Sequence, residues 1–306
     1  MRESWQARFA DTPDVLISEH RRGTVVPVLD LTIGGGEFVT IAGPCAVENE
    51  FQLMATAQRV RRSGARLLRG GAFKPRSSPY SFQGLGREAL RLLARARKET
   101  GLAIVTEVMS EADVPLIAEY ADILQIGSRS MENYSLLEAA ARSGMPIMLK
   151  RGLVATIADF LRSAQFILQN GNNNVILCER GIRTFDTTLR NTFDAAGIAL
   201  LKQITHLPVI ADPSHACGNR ELVPLLARIG LAAGADGMIV EVHPNPDNAM
   251  SDGEQSLDFA AFDSMMADLE PWLALRNKCM DRSESAALRT MEAAGGNETS
   301  DKRSLS

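Results

Sequence analysis

The sequence predicts a (β/α)8 barrel of the TIM type, an α/β fold. Two observations support this prediction: a strand–loop–helix unit repeats along the chain, and the unit occurs eight times. From residue 39 onward, a short apolar run, a polar loop and an amphipathic helical stretch recur as one unit. Eight such units of about 20–35 residues are the number that closes this barrel. An open, doubly wound sheet is the alternative, but it usually has about five to seven strands and a glycine-rich first turn. The barrel is therefore the predicted fold.

The composition is that of a globular protein with a full core, at 45% hydrophobic and 23% charged residues among 306. A net charge of −4 does not indicate binding to nucleic acid or to an anionic membrane. No apolar run reaches the roughly 18 residues of a membrane helix, and the N-terminus lacks the apolar core of a signal peptide. The four cysteines show no Cys-x-x-Cys spacing, which predicts a reducing, cytoplasmic location.

Residues 1–25 are polar, have no sustained period and are predicted to form an arm. Next comes VVPVLDLTIGGGEFVTIAG, in which Gly34, Gly35 and Gly36 join two β-rich runs, a pattern typical of a hairpin. A dinucleotide-binding loop is excluded, because the G-x-G-x-x-G spacing and the helix that should follow are both missing. We therefore assign residues 1–36 to an arm and the start of a hairpin.

The predicted strands are short apolar runs: VTIAG near 39, LLRGGA near 67, AIVTEV near 103, ILQIGS near 123, PIMLKR near 146, VILCERG near 175, PVIADPS near 208 and GMIVEV near 237. Between them lie helix-like stretches, including 50–63, 87–100, 133–143 and 156–169. In the second of these, Leu90, Leu93 and Ala94 share one helical face. The catalytic barrel is predicted to span residues 37–275, and the polar segment 276–306 to be a largely disordered tail.

Titratable side chains stand at the predicted carboxyl ends of strands that become neighbours when the barrel closes. Closure places His215 and Glu241, from the last two strands, beside Cys45 from the first. Asp252 can reach over from the final loop. One thiolate, one imidazole and two carboxylates suit a single divalent cation, Mn, Fe, Co or Zn. Each residue alone is more often structural, as a lone cysteine in a strand usually is, so the prediction depends on the barrel.

A second group at the same end of the predicted barrel is basic, although the protein as a whole is acidic. Its members follow strands two to six and are Arg69, Lys74, Arg76, Arg129, Lys150 and Arg180, with Arg151 and Arg183 nearby. Cations gathered in one mouth repel each other unless an anion neutralises them. The planar guanidinium suits phosphate and carboxylate oxygens. Substrates with more than one phosphate or carboxylate group are therefore predicted.

These residues lie in seven motifs: AGPCAVE, RGGAFKPRSSPYSFQGLG, DILQIGSRSMEN, LKRG, ILCERGIRTFD, DPSHACG and VEVHPNPDNAMSDGEQ. Together, over roughly residues 35–270, they resemble the 3-deoxy-D-arabino-heptulosonate 7-phosphate (DAHP) synthases. The similarity is to the type I branch, which also contains 3-deoxy-D-manno-octulosonate 8-phosphate synthase. Ser128, Glu132 and Cys217 depart from the residues usual in this family.

The resemblance implies condensation of phosphoenolpyruvate with erythrose 4-phosphate, with release of phosphate, as the first step of the shikimate pathway to aromatic amino acids. It implies one divalent metal held by Cys45, His215, Glu241 and Asp252. It places phosphoenolpyruvate at Arg69, Lys74, Arg129, Lys150 and Arg180, and erythrose 4-phosphate at Lys74, Arg76 and Ser77. Glu107 is expected to assist the attacking water, and Lys74 to donate a proton to the new alkoxide.

Two other functions stay open at this point. The octulosonate synthase, which uses arabinose 5-phosphate, typically has a KAN-R-S type segment where this chain has KPRSS after residue 73. A non-catalytic, metabolite-binding barrel is disfavoured because no expected ligand or cation is missing. The resemblance also implies a homotetramer or homodimer. The short segments on either side of the barrel cannot hold a fused chorismate mutase domain, so we expect no feedback regulation.

Overall fold

The protein is described by a computed structural model that covers residues 5–18, 23–74, 80, 82–276 and 278. Strands β1 (Val26–Val28) and β2 (Leu31–Ile33) form an antiparallel hairpin. The eight strands that follow are parallel and close into a barrel in which the last pairs with the first. They are β3 (Val39–Gly43), β4 (Leu67–Arg69), β5 (Ala103–Val108), β6 (Ile123–Ile126), β7 (Ile147–Lys150), β8 (Val175–Glu179), β9 (Val209–Ala211) and β10 (Gly237–Glu241). The predicted fold class is confirmed.

Most helices of the described residues alternate with the barrel strands and pack on the outside of the barrel. In chain order the helices are α1 (Trp5–Arg8), α2 (Glu50–Arg62), α3 (Arg87–Thr100), α4 (Val114–Ala118), α5 (Tyr134–Arg142), α6 (Ile157–Gln169), α7 (Ala195–Ile204), α8 (Pro213–Cys217), α9 (Val223–Ala232) and α10 (Phe259–Leu275). Of these, α1 belongs to the N-terminal arm, and α8 is a short helix directly after β9. The four stretches that the sequence predicts as helical match α2, α3, α5 and α6 to within about one residue at each end. Local capping fixes such ends: Thr156 and Asp159 form a capping box at the start of α6.

The interior of the barrel is an apolar core that is closed at one end by the hairpin. Buried side chains from the amino ends of the strands, such as Val39, Leu67 and Ile123, belong to one cluster with Val28 and Ile33 of the hairpin. A second and larger apolar layer lies between the sheet and the helices. The hairpin therefore plugs the amino-terminal end of the barrel, and its opposite end holds the polar side chains.

The position of the hairpin turn corrects the sequence prediction. The turn is at Leu29 and Asp30, with Leu29 in the left-handed region at φ +52°. The three glycines instead link β2 to β3, which has parallel neighbours on both sides and hence no free edge for an antiparallel partner. Gly34 has φ +96°, and an added Cβ would lie 2.4 Å from the carbonyl oxygen of Thr24, so this link requires glycine.

The N-terminal arm packs against the barrel through buried apolar and polar contacts. Phe9, Val15 and Leu16 are buried. The imidazole of His206 lies 2.6 Å from the hydroxyl of Thr24 and 2.7 Å from the carbonyl oxygen of Asp14. The arm thus covers the same end of the barrel as the hairpin.

At the other end of the chain, α10 completes the helical layer. The predicted disordered tail, 276–306, lies almost wholly outside the described residues. Among the helices that are described, none is both long and apolar enough to cross a membrane.

Candidate active site

Four predicted ligands meet at the carboxyl-terminal end of the barrel. Cys45 follows β3, Glu241 ends β10, and His215 lies on α8, directly after β9. Asp252 lies in the loop after β10, before a short 3-10 helix. One side-chain atom from each of the four lies within 4.8 Å of the others. The strand adjacency on which the prediction depended therefore brings these groups to one point.

Direct contacts order the cluster. The thiol of Cys45 donates to Asp252 Oδ2 at 3.0 Å, and His215 Nε2 lies 3.3 Å from Glu241 Oε1. Asp252 has φ +53°, in the left-handed region that a short polar side chain tolerates better than most. Ser251 Oγ adds a contact of 3.3 Å to the sulfur of Cys45. The ligand set is thus compact before any cation is considered.

The protonation states suit cation binding. Burial, and next the charge of Glu241, raises the pKa of the Cys45 thiol to about 12. Burial lowers the pKa of His215 to about 4, so its imidazole is neutral at physiological pH. Burial alone would raise the pKa of Asp252, but the Cys45 hydrogen bond and nearby positive charges lower it to about 2. The cluster thus offers two carboxylates, a neutral imidazole and a thiol that a cation must deprotonate.

The residues present fit a divalent cation. Glu241 Oε1 is buried and has no hydrogen-bond partner; Arg69 Nη1 lies 3.0 Å away, but the two are not aligned for a hydrogen bond. The other oxygen of Glu241 accepts from Gln255 Nε2 at 2.7 Å, which orients the carboxylate toward the cluster. Sulfur, nitrogen and oxygen donors together suit the borderline transition metals named above.

A cavity of about 170 Å³ adjoins the cluster, and six of its fourteen lining residues are lysine or arginine. Its wall includes His215 and Asp252 of the cluster, and the remaining side chains come from the middle strands and their loops: Lys74, Glu107, Gln125, Ser128, Arg129, Lys150, Arg180, Arg183, Arg190 and Asn191. It shares Arg183, Arg190 and Asp252 with a wider cleft of about 1330 Å³. Five of the predicted substrate or catalytic residues (Lys74, Glu107, Arg129, Lys150 and Arg180) therefore face one space.

The cations of this cavity differ in their partners. Lys74 Nζ lies 3.0 Å from Cys45 Sγ; burial opposes its charge, but Cys45 and Glu241 together raise its pKa. Arg180 is only 5% exposed, and its buried Nη1 has no hydrogen-bond partner. Burial, with repulsion from Arg190, lowers the pKa of Arg180. A buried guanidinium nitrogen without an acceptor is what an anion-binding site requires.

Among the predicted basic residues that the structure describes, Arg69 and Arg151 do not line the cavity. Arg69 lies beside the four-residue cluster, where it donates to the Cys45 carbonyl oxygen at 3.2 Å and faces Glu241. Arg76 and Ser77 fall outside the described residues. Arg151, a weaker candidate, is ion-paired with Asp194 at 2.7 Å.

Several contacts at the site could not be predicted from the motifs alone. Gln255 bridges the cluster to Arg190, whose Nη1 donates to it at 2.5 Å. Asp212 contacts both His215 and Lys150. The sequence places Asp212 at the carboxyl end of a predicted strand, three residues before His215, but it does not indicate either contact. Cys217 hydrogen-bonds to backbone carbonyls and is not part of the ligand cluster.

This site geometry can be compared with known proteins. The sequence profile described as the DAHP synthetase I family matches residues 14–273. The chain belongs to this family. The matched range includes every residue of the cluster and of the cavity.

Two relatives of this chain are named as different enzymes. Phospho-2-dehydro-3-deoxyheptonate aldolase of Thermotoga maritima is 49% identical over 251 residues, 82% of this chain and 74% of that protein. 2-Dehydro-3-deoxyphosphooctonate aldolase of Acidithiobacillus ferrooxidans is 34% identical over 251 residues, 76% of this chain and 88% of that protein. The similarity is thus greater to the heptonate enzyme of this pair.

Solved structures agree with this family assignment. The crystal structure of the Thermotoga maritima DAHP synthase matches with a TM-score of 0.82 and 47% identity, covering 84% of this chain and 76% of that one. A truncated form of the 3-deoxy-D-arabino-heptulosonate 7-phosphate synthase from the same organism also gives a TM-score of 0.82, at 42% identity. There the match covers 88% of this chain and 98% of the other.

Proposed function

We propose that this member of the DAHP synthetase I family condenses phosphoenolpyruvate with erythrose 4-phosphate to DAHP and phosphate, the entry step of the shikimate pathway. The observation that carries the proposal is the contact between two half-sites. A four-ligand cluster and a cation-lined cavity share His215 and Asp252 at the open end of one barrel. One half suits a cation that polarises an aldehyde, and the other suits a small substrate with several negative charges.

The metal half is proposed to consist of Cys45, His215, Glu241 and Asp252. When bound there, Mn, Fe, Co or Zn supplies Lewis acidity toward the aldehyde oxygen of erythrose 4-phosphate. In this proposal Cys45 and His215 take part only as metal ligands. Gln255 donates a hydrogen bond to Glu241 and so orients its carboxylate.

The anion half is proposed to hold phosphoenolpyruvate with Lys74, Arg129, Lys150 and Arg180. Arg69 adds positive charge beside Glu241. Fixing both substrates at reacting distance replaces a bimolecular encounter, an effect that can contribute several kcal/mol. Arg76 and Ser77, next to Lys74 in the chain, are proposed to bind the phosphate of erythrose 4-phosphate.

The proposed bond changes balance with one water molecule. A bond forms between C3 of phosphoenolpyruvate and the aldehyde carbon, while the oxygen of water adds at C2. Glu107 accepts the proton of that water, and Lys74 Nζ gives its proton to the new alkoxide. The C2–O bond to phosphate then breaks, the proton of the C2 hydroxyl passes to the departing phosphate, and the ketone of DAHP forms.

Phosphate release tests this function directly. Phosphoenolpyruvate is incubated with erythrose 4-phosphate or with arabinose 5-phosphate, each with and without a chelator. We expect turnover with the four-carbon sugar, its loss with chelator and its return when Mn²⁺ or Co²⁺ is added back. Preference for arabinose 5-phosphate would assign the octulosonate reaction instead. No turnover with either sugar would favour a metabolite-binding barrel.

Replacement of Cys45 by serine tests the metal half. Cys45→Ser should bind the cation more weakly and lose activity, because a serine hydroxyl is a poorer ligand than a thiolate. Cys217→Ser is the matched control, since that buried thiol hydrogen-bonds to backbone carbonyls outside the cluster. Full turnover by Cys45→Ser in the presence of chelator would contradict the assignment.

Three further features are proposed on family resemblance and composition. A homotetramer or homodimer is expected, which light scattering of the purified protein would test. A cytoplasmic location agrees with the free thiols of Cys45, Cys178 and Cys217. Feedback inhibition is not expected, so inhibition by micromolar tyrosine or phenylalanine would contradict this last prediction.

A further inference from the structure

One buried carboxylate touches both halves of the site. Asp212 is fully buried, follows β9 and caps α8, where Oδ1 accepts from the backbone nitrogen of His215 at 3.0 Å. His215 Nδ1 lies 2.8 Å from its Oδ2. The same Oδ2 accepts from Lys150 Nζ at 2.5 Å. No step of the proposed reaction uses this group.

The contact with Asp212 decides which nitrogen of His215 can bind a cation. His215 Nδ1 hydrogen-bonds to Asp212 Oδ1 at 3.1 Å, whereas the Glu241 oxygen near Nε2 has no hydrogen-bond partner. Because a carboxylate can only accept, Nδ1 carries the imidazole proton. Nε2 is then unprotonated and faces the cluster, 3.3 Å from Glu241 Oε1. A histidine ligand needs this arrangement, with a lone pair on the nitrogen that faces the cation and an acceptor on the other.

The contact with Lys150 fixes the neighbouring wall of the cavity. Lys150 is the last residue of β7, is 4% exposed and lines the cavity. The side chain of Lys150 is flexible, and the buried carboxylate of Asp212 holds its ammonium group in place. Asp212 therefore contacts the ammonium group of Lys150 and the imidazole of His215 with one carboxylate.

We propose that Asp212 is a positioning residue that holds His215 in the tautomer needed for cation binding and fixes Lys150 for phosphoenolpyruvate. This inference rests on the proposed function, and it assigns Asp212 no contact with substrate or cation. It adds a link between the two halves: loss of this one carboxylate weakens both cation and anion binding.

Asp212→Asn tests the proposal, because asparagine keeps the size of the side chain and is a good N-cap but lacks the charge. Co²⁺ is titrated into the apoprotein without substrates, and the thiolate-to-cobalt absorption is followed. We expect a roughly 10- to 100-fold weaker Co²⁺ affinity, with the absorption band restored at saturation. KM for phosphoenolpyruvate should rise as well.

Two control variants separate this role from a structural one. Asp258→Asn makes the same change at the exposed N-cap of α10, where the carboxylate accepts from Ala261. It should leave both Co²⁺ affinity and KM unchanged. Lys150→Met removes the ammonium but keeps the Asp212–His215 contact, so it should raise KM without weakening Co²⁺ binding. Weakening of Co²⁺ binding by Lys150→Met as large as that by Asp212→Asn would overturn the proposal.

The remaining outcomes are also distinct. Wild-type Co²⁺ affinity and KM in a folded Asp212→Asn protein would overturn the positioning role alone. Failure of the wild-type protein to bind Co²⁺ would overturn the proposed metal site on which this inference rests. If Asp212→Asn does not fold, nitrogen-15 spectra of the histidines in the wild-type protein decide. The Nδ1–H tautomer of His215 is expected, and the Nε2–H tautomer would overturn the proposal.

Discussion

We expect Arg180 to lower the stability of the substrate-free protein and to strengthen substrate binding. The variant Arg180→Met tests both effects. The guanidinium of Arg180 is buried, and its Nη1 has no hydrogen-bond partner. Its pKa is lowered, because burial outweighs the attraction of nearby carboxylates such as Asp212. An unpartnered buried donor costs about 1–3 kcal/mol, and methionine removes that cost while filling similar space. The substrate-free variant should therefore be more stable than the wild-type protein.

The magnitudes follow from these contacts. A gain of about 1–3 kcal/mol in the free energy of unfolding corresponds to a rise in Tm of roughly 2–12 °C for a domain of about this size. A charge-assisted hydrogen bond to an anion contributes about 1.5–3 kcal/mol. Its loss should raise KM for phosphoenolpyruvate by about 10- to 150-fold. KM for erythrose 4-phosphate should change much less.

The assay combines thermal unfolding of the substrate-free protein with initial rates at varied phosphoenolpyruvate. Arg183→Met serves as the comparison, because Arg183 is in the same loop but exposed, where water screens its charge. That variant should change KM by no more than about fivefold, since exposed charge pairs contribute roughly 0–1 kcal/mol. A lower Tm for Arg180→Met, or an unchanged KM, would refute the reasoning.

Three more predictions test other parts of the molecule. Ile33→Ala, in the hairpin, should lower the free energy of unfolding by about 2–5 kcal/mol because it opens a cavity, and KM should not change. Thr32→Ala, on the exposed side of the same strand, should lower the free energy of unfolding by less than about 0.5 kcal/mol. Denaturant unfolding measures both. Gly127→Ala places a Cβ 2.0 Å from Glu107 Oε1, so kcat should fall by about 100-fold while Co²⁺ affinity stays constant. Cation binding at pH 7 should release about one proton, from Cys45, and tighten as pH rises; calorimetry in buffers with different heats of ionisation would show zero or two protons if this is wrong.

Much of the fold could be predicted because strand and helix periods are local properties of the chain. The alternation of apolar runs and amphipathic stretches placed all eight barrel strands, and closure then made β10 the neighbour of β3. That single topological fact brings Cys45 to Glu241, although 196 residues separate them in the chain. The grouping of the four ligands was therefore predictable from order alone, and their catalytic roles stay predictions.

What could not be predicted depends on loop conformation and on pairs of side chains. Gln255 reaches Glu241 because the 3-10 helix after Asp252 turns it inward, and no period in the sequence encodes that turn. Arg190 likewise lies at the end of a long loop that folds back over the site. The hairpin turn was misplaced because three glycines are a stronger turn signal than Leu29 and Asp30.

The hairpin plug limits how this enzyme could be shortened or redesigned. Inside the barrel, the first residues of several strands, including Val39, Leu67 and Ala103, form one buried cluster with apolar side chains of β1 and β2. A chain begun at β3 would expose this apolar ring to water and invite aggregation. It would keep every residue of the cluster and the cavity, yet we expect it to lose solubility before it loses chemistry. A shortened version of this protein should therefore keep β1 and β2 as well as the barrel.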